Sequence, residues 1–353
     1  MALIELAGLE KSFHNRKTGD TQVLRGIDLA IEEGQTVCVV GESGCGKTTL
    51  GKILAGLQGY TGGTYTYRGQ EVATLKGKLW KQYRTDVQMI HQNPYESLNP
   101  TQMVFDIISA PIKHHRKIRD FAVLYQEVVR LLEMVGLTPV DDFIDKYPVN
   151  LSGGQRQRVS IARILCMNPK FIVVDEATSM IDTSLRISLL ATLKRIQEEL
   201  KVAYLYITHD LALGRYFAWG QRLAVMYLGE VIELGPTGDV VEDPHHPYTK
   251  AILSAGSIAT DNSYDLKGVD IPSFQHIPSG CSLSPRCPEM IPGVCNVVKP
   301  PLHTTSPGRC VACHLYAAEG PRTTEGPRST ENLGTTEGQR STENPRTGQG
   351  RNA

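Results

Sequence analysis

Residues 37–50 read VCVVGESGCGKTTL, an apolar tetrad followed by a glycine-rich run, a lysine and two threonines. The tetrad has the length of a buried strand, and the segment after Lys47 has the pattern of a helix start. Between them Gly41, Gly46, Lys47 and Thr48 meet the spacing G-x-x-x-x-G-K-S/T. In a strand-to-helix context that spacing describes a phosphate-binding loop. Its glycines let backbone N–H groups turn inward onto phosphate oxygens, assisted by the positive end of the following helix. Lys47 is expected to neutralise β- and γ-phosphate charge, and Thr48 to offer its hydroxyl to Mg²⁺. The whole loop, Gly41, Glu42, Ser43, Gly44, Cys45, Gly46, Lys47, Thr48 and Thr49, is the expected cradle for a nucleotide.

Outward from the loop, short apolar runs alternate with helical periodicity. VQMI (87–90), FIVV (171–174) and YLYI (204–207) read as further buried strands. In residues 183–200, Leu185, Leu189, Leu193, Ile196 and Leu200 fall on one face at a period near 3.6. Buried strands separated by amphipathic helices predict a mainly parallel α/β sheet. LIELAGLEKSF, VLRGIDLAIEEG and GGTYTYRGQEV instead read as half-buried strands, so a small antiparallel layer is expected beside the main sheet. Residues 95–150 read as mostly helical.

Lysines plus arginines and aspartates plus glutamates balance at 37 each, which leaves no electrostatic case for a nucleic-acid partner. The N-terminal residues show no basic start with a long apolar run, so no signal peptide is expected. No stretch of eighteen apolar residues predicts a membrane span. The expected compartment is the cytoplasm, where disulfides are disfavoured. From Gly320 the chain turns polar and repetitive: TTEGPRSTEN (323–332) returns as TTEGQRSTEN (335–344). A repeat without an apolar face cannot bury a core, so a disordered tail is expected.

FIVVDEAT (171–178) places Asp175 at the carboxyl end of a buried strand, where a carboxylate can hold Mg²⁺. Glu176, next to it, is suited to orient and activate an attacking water. Residues 151–165, LSGGQRQRVSIARIL, hold a second anion cradle, in which Ser152, Gly153, Gly154 and Gln155 open a helix. With that motif about twenty residues before the acidic strand, the chain resembles the nucleotide-binding subunit of an ATP-binding cassette (ABC) transporter.

The resemblance implies an α/β fold: a RecA-like P-loop NTPase core, an antiparallel β subdomain and a helical subdomain near residues 93–160. It implies that two subunits sandwich ATP, each phosphate loop facing the other's LSGGQ motif. Phe13 matches the aromatic that stacks on adenine, the alternative being an ordinary core phenylalanine. Gln92 matches the glutamine that senses γ-phosphate and Mg²⁺. Asp182 matches the aspartate that couples the two sites, and His209 the switch histidine on γ-phosphate. Glu176, His209, Lys47 and Gln92 are then the catalytic set, with Thr48, Gln92 and Asp175 around Mg²⁺. Three departures stand out: Ala177 for a proline, Met180–Ile181 for Ala-Leu, and His91 for a phenylalanine. Both acids and Asp182 are kept, so hydrolysis is expected.

PYESLNPTQMV after Gln92 and EDPHHPYTKAILSA (242–255) are similar to the peptide-import branch, which includes dipeptide, oligopeptide and nickel importers. VMYLGEVIELG (225–235), with Leu228 where the first ATPase of such pairs has alanine, is similar to the second ATPase. The resemblance therefore implies a non-identical ATPase partner, two transmembrane permeases, an extracytoplasmic substrate-binding protein and a place on the cytoplasmic face of the inner membrane. Nickel or an oligosaccharide stays open as cargo. So do a non-transport cassette acting on DNA or ribosomes, which neutral charge and the lack of heptads disfavour, and a degenerate cassette, which the intact acids disfavour. HHPYTKAIL also reads as a turn and helix that leave His245 and His246 exposed.

Five of eight cysteines crowd between 281 and 313. In a cytosolic enzyme, clustering favours metal over disulfide. Cys281, Cys287, Cys295 and Cys313 follow C-x5-C-x7-C-x17-C, which is similar to the C-terminal motif of peptide-transporter ATPases that holds a 4Fe–4S cluster. Structural Zn²⁺ and a cluster of thiols without metal are the alternatives, since four thiolates suit iron–sulfur and zinc equally. Arg309 stands where relatives carry histidine, and Cys310 is an additional thiol. The expected division is an ATP-binding domain over 1–255, a Cys-rich region over 256–316 and the tail over 317–353.

Overall fold

The computed structural model describes residues 2–15, 19–93, 97–178, 181–256, 264–268 and 272–317. The repetitive tail predicted to be disordered lies outside them, apart from Ala317. Met1–Ala318 pack as one compact unit.

The apolar runs form the centre of an eight-stranded sheet. Strands β3 (Thr36–Val40), β6 (Val87–Ile90), β7 (Phe171–Asp175), β8 (Ala203–Thr208) and β9 (Arg222–Tyr227) lie parallel in the order β9-β3-β8-β7-β6. Both faces are covered, which is why these strands are apolar throughout rather than alternating. The two-residue period sorts their side chains between two cores. Val37, Val39, Phe171, Val173, Leu205 and Ile207 enter one core, and Cys38, Val40, Ile172, Val174, Tyr204 and Tyr206 the other. Each buried side chain of this size contributes about 1.5–3 kcal/mol, so a one-residue slip in register is heavily penalised from both faces.

Over the first face lies the expected antiparallel layer. It is a second sheet in the order β2-β1-β4-β5, from β1 (Ile4–Asn15), β2 (Gly19–Ile31), β4 (Gly62–Tyr67) and β5 (Gln70–Glu71). Helix α1 (Lys47–Leu54) is enclosed in the core between the two sheets through Leu50, Ile53 and Leu54. Helix α2 (Gly77–Asp86) leads into β6.

Helices cover the opposite face. α3 (Val104–Pro111) and α4 (Phe121–Met134) fill much of the region read as helical, and no strand occurs there among the described residues. α4 starts at Asp120, whose side chain accepts from the Val123 N–H. α5 (Gly153–Leu165) and α6 (Thr183–Leu200) follow. On α6 the predicted stripe holds for Leu189, Leu193 and Ile196, but Leu185 is 44% exposed. It lies at the first turn, where a Cβ added to Gly154 at the start of α5 would meet its Cδ1 at 3.6 Å. α7 (Leu211–Phe217) completes this layer.

Beyond β9 the chain continues the main sheet at its free edge. β10 (Glu230–Pro236) returns antiparallel beside β9, then α8 (Thr237–Glu242) and α9 (Pro247–Gly256) follow. β11 (His303–Ser306) and β12 (Arg309–Val311) form a hairpin that pairs with β10 and extends the main sheet. Buried Glu233 on β10 anchors it, accepting from Arg309 at 3.0 Å and from the N–H groups of His245 and His246. The histidine pair is therefore not exposed. His246 is fully enclosed, and its Nδ1 accepts from the Tyr248 N–H; His245 stacks on Tyr316 with ring centroids 4.3 Å apart. No helix among the described residues is long and apolar enough to cross a membrane.

Candidate active site

The phosphate loop joins the end of β3 to α1, at the carboxyl edge of the parallel strands, where ligands of open α/β sheets bind. Two of its glycines are required by space. A Cβ on Gly41 would stand 2.1 Å from the Met226 carbonyl oxygen. Gly46, at the N-cap of α1, has φ +108°, and a Cβ there would meet the Val23 carbonyl at 3.0 Å. The loop curls around Lys47, whose Nζ donates to the carbonyls of Gly41 (2.7 Å) and Glu42 (2.8 Å). Beside it the buried Cys45 thiol is pushed up, chiefly by desolvation, so it stays protonated. Its sulfur adds no charge.

Asp175 ends β7, facing the first turn of α1. Thr48 Oγ1 donates to its Oδ1 at 3.1 Å, although 127 positions separate the two residues. Burial raises the Asp175 carboxyl above its ordinary range, the Thr48 hydrogen bond opposes this, and the neighbouring Glu176 adds to the rise. A desolvated carboxylate beside a threonine hydroxyl is a hard-oxygen pair that fits Mg²⁺.

Glu176 is the meeting point. Its backbone takes φ +46° and its N–H donates to the Ile207 carbonyl on β8. A non-glycine backbone kept in that sparsely populated region is over-determined by its surroundings. Gln92 Nε2, just past β6, donates to Oε2 at 3.2 Å. His209 Nδ1, just past β8, lies 3.0 Å from Oε1, the donor being set by the imidazole tautomer. Gln92 and His209, expected from separate motifs, thus share the Glu176 carboxylate, beside the Thr48–Asp175 pair. This is the chemistry of a phosphoryl-transfer ATPase of the P-loop class.

The other expected residues lie apart. Phe13 on β1 is 42% exposed, with Lys11 Nζ 5.1 Å from its ring centroid, so the core alternative does not hold. Ser152 caps α5 in a capping box: its hydroxyl accepts from the Gln155 N–H, while Gln155 Oε1 accepts from the Ser152 N–H. Asp182 precedes α6 and is exposed. Among the described residues, no hydrogen bond joins the Ser152–Gln155 turn or the Asp182 side chain to the phosphate loop.

Two partners of the loop escaped the sequence reading. Arg286 grips the Glu42 carboxylate, and the Tyr248 hydroxyl accepts from the Glu42 N–H at 2.9 Å. Neither position carries a local motif that points at residue 42.

The four spaced cysteines are free thiols in one neighbourhood. Burial raises Cys281 to about 11, and its neighbours Cys295 and Cys287 add to the rise. Cys313 is likewise pushed to about 12 by burial, with Cys281, Cys287 and Cys295 contributing. Cys295 Sγ also accepts from the Ile291 N–H at 3.4 Å. As a donor set this fits a soft metal group. The expected ligand geometry is not formed, however: among the described residues no group of three or more His, Cys, Asp or Glu side chains is arranged to hold a metal ion. Cys310 stands apart on β12, with its sulfur 3.6 Å from Thr304 Oγ1.

Comparison with known proteins shows the family. The ABC transporter family profile matches residues 24–179, and the profile of the oligopeptide/dipeptide transporter C-terminal region matches residues 232–295. The oligopeptide transport ATP-binding protein AppF of Bacillus subtilis is 37% identical over 329 residues, covering 89% of this chain and 98% of that protein. The oligopeptide transport ATP-binding protein OppF of Lactococcus lactis is 42% identical over 247 residues, covering 70% and 76%. Among solved structures, the ATP-binding cassette MJ0796 as a post-hydrolysis dimer with ADP and phosphate superposes with a TM-score of 0.59 at 26% identity, covering 66% of this chain and 98% of that one. The chain belongs to the ATP-binding proteins of ABC transporters, in the oligopeptide/dipeptide transporter branch. It is an ATPase.

Proposed function

We propose that this chain is the ATP-hydrolysing subunit of a peptide importer. The observation that carries the chemistry is the shared Glu176 carboxylate, held between Gln92 and His209 beside the Thr48–Asp175 pair. In this reading Phe13 stacks on adenine, and the amides from Gly41 to Thr49 with Lys47 bind the phosphates. Thr48, Asp175 and Gln92 hold Mg²⁺, which when bound screens phosphate charge. Glu176 accepts the proton of the attacking water, and His209 keeps that carboxylate aligned while facing the γ-phosphate.

Ser152, Gly153, Gly154, Gln155 and Asp182 serve the opposite subunit's ATP, a reading supported by the exposure of Ser152 and Asp182. The partners are a second, non-identical ATPase, two transmembrane permeases reached through residues 93–160, and an extracytoplasmic binding protein. The chain works at the cytoplasmic face of the inner membrane. Residues 1–255 carry the ATPase, and 256–316 a C-terminal region whose four thiols would hold a 4Fe–4S cluster, or zinc, once drawn into the ligand geometry that the described residues do not form. Their burial, their mutual influence and the soft donor set support that assignment. Iron and zinc analysis of anaerobically purified protein tests it, with Cys287→Ser as control; a colourless, metal-free wild type would overturn it.

The ATPase reading is tested by phosphate release from the assembled transporter. Glu176→Gln should bind ATP and stop turning it over, whereas unchanged release would overturn the assignment.

A further inference from the structure

Glu42 presents a problem. It is the first residue inside the phosphate loop, and a carboxylate there opposes the binding of a polyanion. The structure shows how the charge is managed. Arg286 Nη1 donates to Oε1 (3.4 Å) and Oε2 (3.2 Å), and Nη2 donates to Oε1 (3.3 Å). The guanidinium is largely enclosed, donates also to the Tyr227 hydroxyl at 3.3 Å, and lies 5.9 Å from that ring's centroid. The Tyr227 ring packs in turn on Tyr248, whose hydroxyl accepts from the Glu42 N–H. Residue 42 is thus held by backbone and side chain at once. The Glu42 carbonyl is also one of the two that accept from Lys47 Nζ.

The Arg286 backbone is equally fixed. Its N–H donates to the Leu283 carbonyl and its own carbonyl accepts from the Lys267 N–H, in the turn that carries Cys281 and Cys287. A fork-shaped cation on a braced turn, 244 positions from its acid, is a geometry suited to positioning.

We propose that Arg286 is a positioning residue for ATP, acting through Glu42. It cancels the carboxylate's charge and pins the loop's first turn, so that the cysteine-bearing segment becomes part of the nucleotide site. The proposal rests on the ATPase reading above. It makes ATP affinity depend on a residue outside the ABC profile's span, and it assigns Tyr248 the backbone half of the same clamp.

The test is Mg–ATP binding to the full chain by titration calorimetry at low ionic strength. Arg286→Ala should weaken binding about tenfold, a change of about 1.4 kcal/mol. Arg286→Lys, which keeps the charge but not the fork, should lose less than half of that on a logarithmic scale. Adding Glu42→Gln to Arg286→Ala should restore most of the affinity, because the uncompensated charge is then gone. The Arg286→Ala penalty should also shrink as salt is raised. A merely structural arginine would give neither the rescue nor the salt dependence. If Arg286→Ala does not fold, Arg286→Gln takes its place in the same comparisons. Wild-type affinity in the arginine variant, or a loss that Glu42→Gln leaves intact, overturns the proposal. A wild-type chain that fails to bind ATP overturns the nucleotide-site reading itself, and is thereby told apart.

Discussion

Glu176 shows how much one side chain depends on its neighbours. Its carboxylate is shared by Gln92 and His209, so replacing it removes both the proton acceptor and the charge that aligns them. Glu176→Gln should lower turnover of the assembled transporter roughly 10²–10⁴-fold, the range for loss of a general base, with ATP affinity within about threefold of wild type. Single-turnover phosphate release and nucleotide binding, measured side by side, check this. Residues of this kind are readable from sequence because each sits in a short motif with fixed spacing: Lys47 and Thr48 after the glycines, Asp175 and Glu176 after four apolar residues, Ser152 in the capping turn. What spacing could not reveal was contact across the chain. That Thr48 meets Asp175 follows from motif knowledge, but that Glu42 meets Arg286 follows from no local pattern. Such a contact is created by the fold, and only the folded chain displays it.

At the scale of elements, the parallel strands were evident because burial on both faces demands unbroken apolar runs. β11 and β12 were not. HTTS and RCV are short and polar, and they become strands only because β10 offers a free edge and Arg309 finds Glu233. Arg309 is thus accounted for as a structural anchor. Arg309→Ala leaves Glu233 buried without its cation, and should cost about 3–5 kcal/mol in urea unfolding. The same anchor encloses His246, whose pKa falls to about 3, mainly by desolvation and further by Lys250. The folded state therefore holds it neutral while the unfolded chain protonates it near 6.5. Unfolding takes up a proton in that window, so its contribution to stability is complete above about 6.5 and is lost as pH falls toward 3. Thermal unfolding between pH 7 and pH 4 should show a decline that is shallower in His246→Asn, whose amide oxygen can still accept from the Tyr248 N–H.

For the whole molecule, the decisive feature is what the single chain leaves open. Glu176, Lys47 and the Thr48–Asp175 pair are gathered at one edge of the sheet, while Ser152 and Asp182 face solvent at helix starts. The Ser152 capping box already satisfies its own turn, so the local fold of α5 needs nothing from ATP; the N–H groups beyond the cap are what a second subunit's phosphate would use. Leu185, exposed at the first turn of α6, borders the same surface through its approach to Gly154. Helical periodicity assigns this residue to the core, and in the proposed two-subunit arrangement it would instead belong to the face turned to the partner. Two failures should therefore be separable. Ser152→Arg places a long cation over the α5 amides, and should cut ATP turnover of the assembled pair at least about tenfold. The affinity of this isolated chain for ATP, governed by its own phosphate loop, should change less than about twofold, whereas Lys47→Ala should weaken it strongly. Parallel measurements of binding to the single chain and turnover by the pair decide the matter. Equal damage to both by Ser152→Arg would mean that the LSGGQ turn serves the chain's own nucleotide, and that the sites are not shared between subunits.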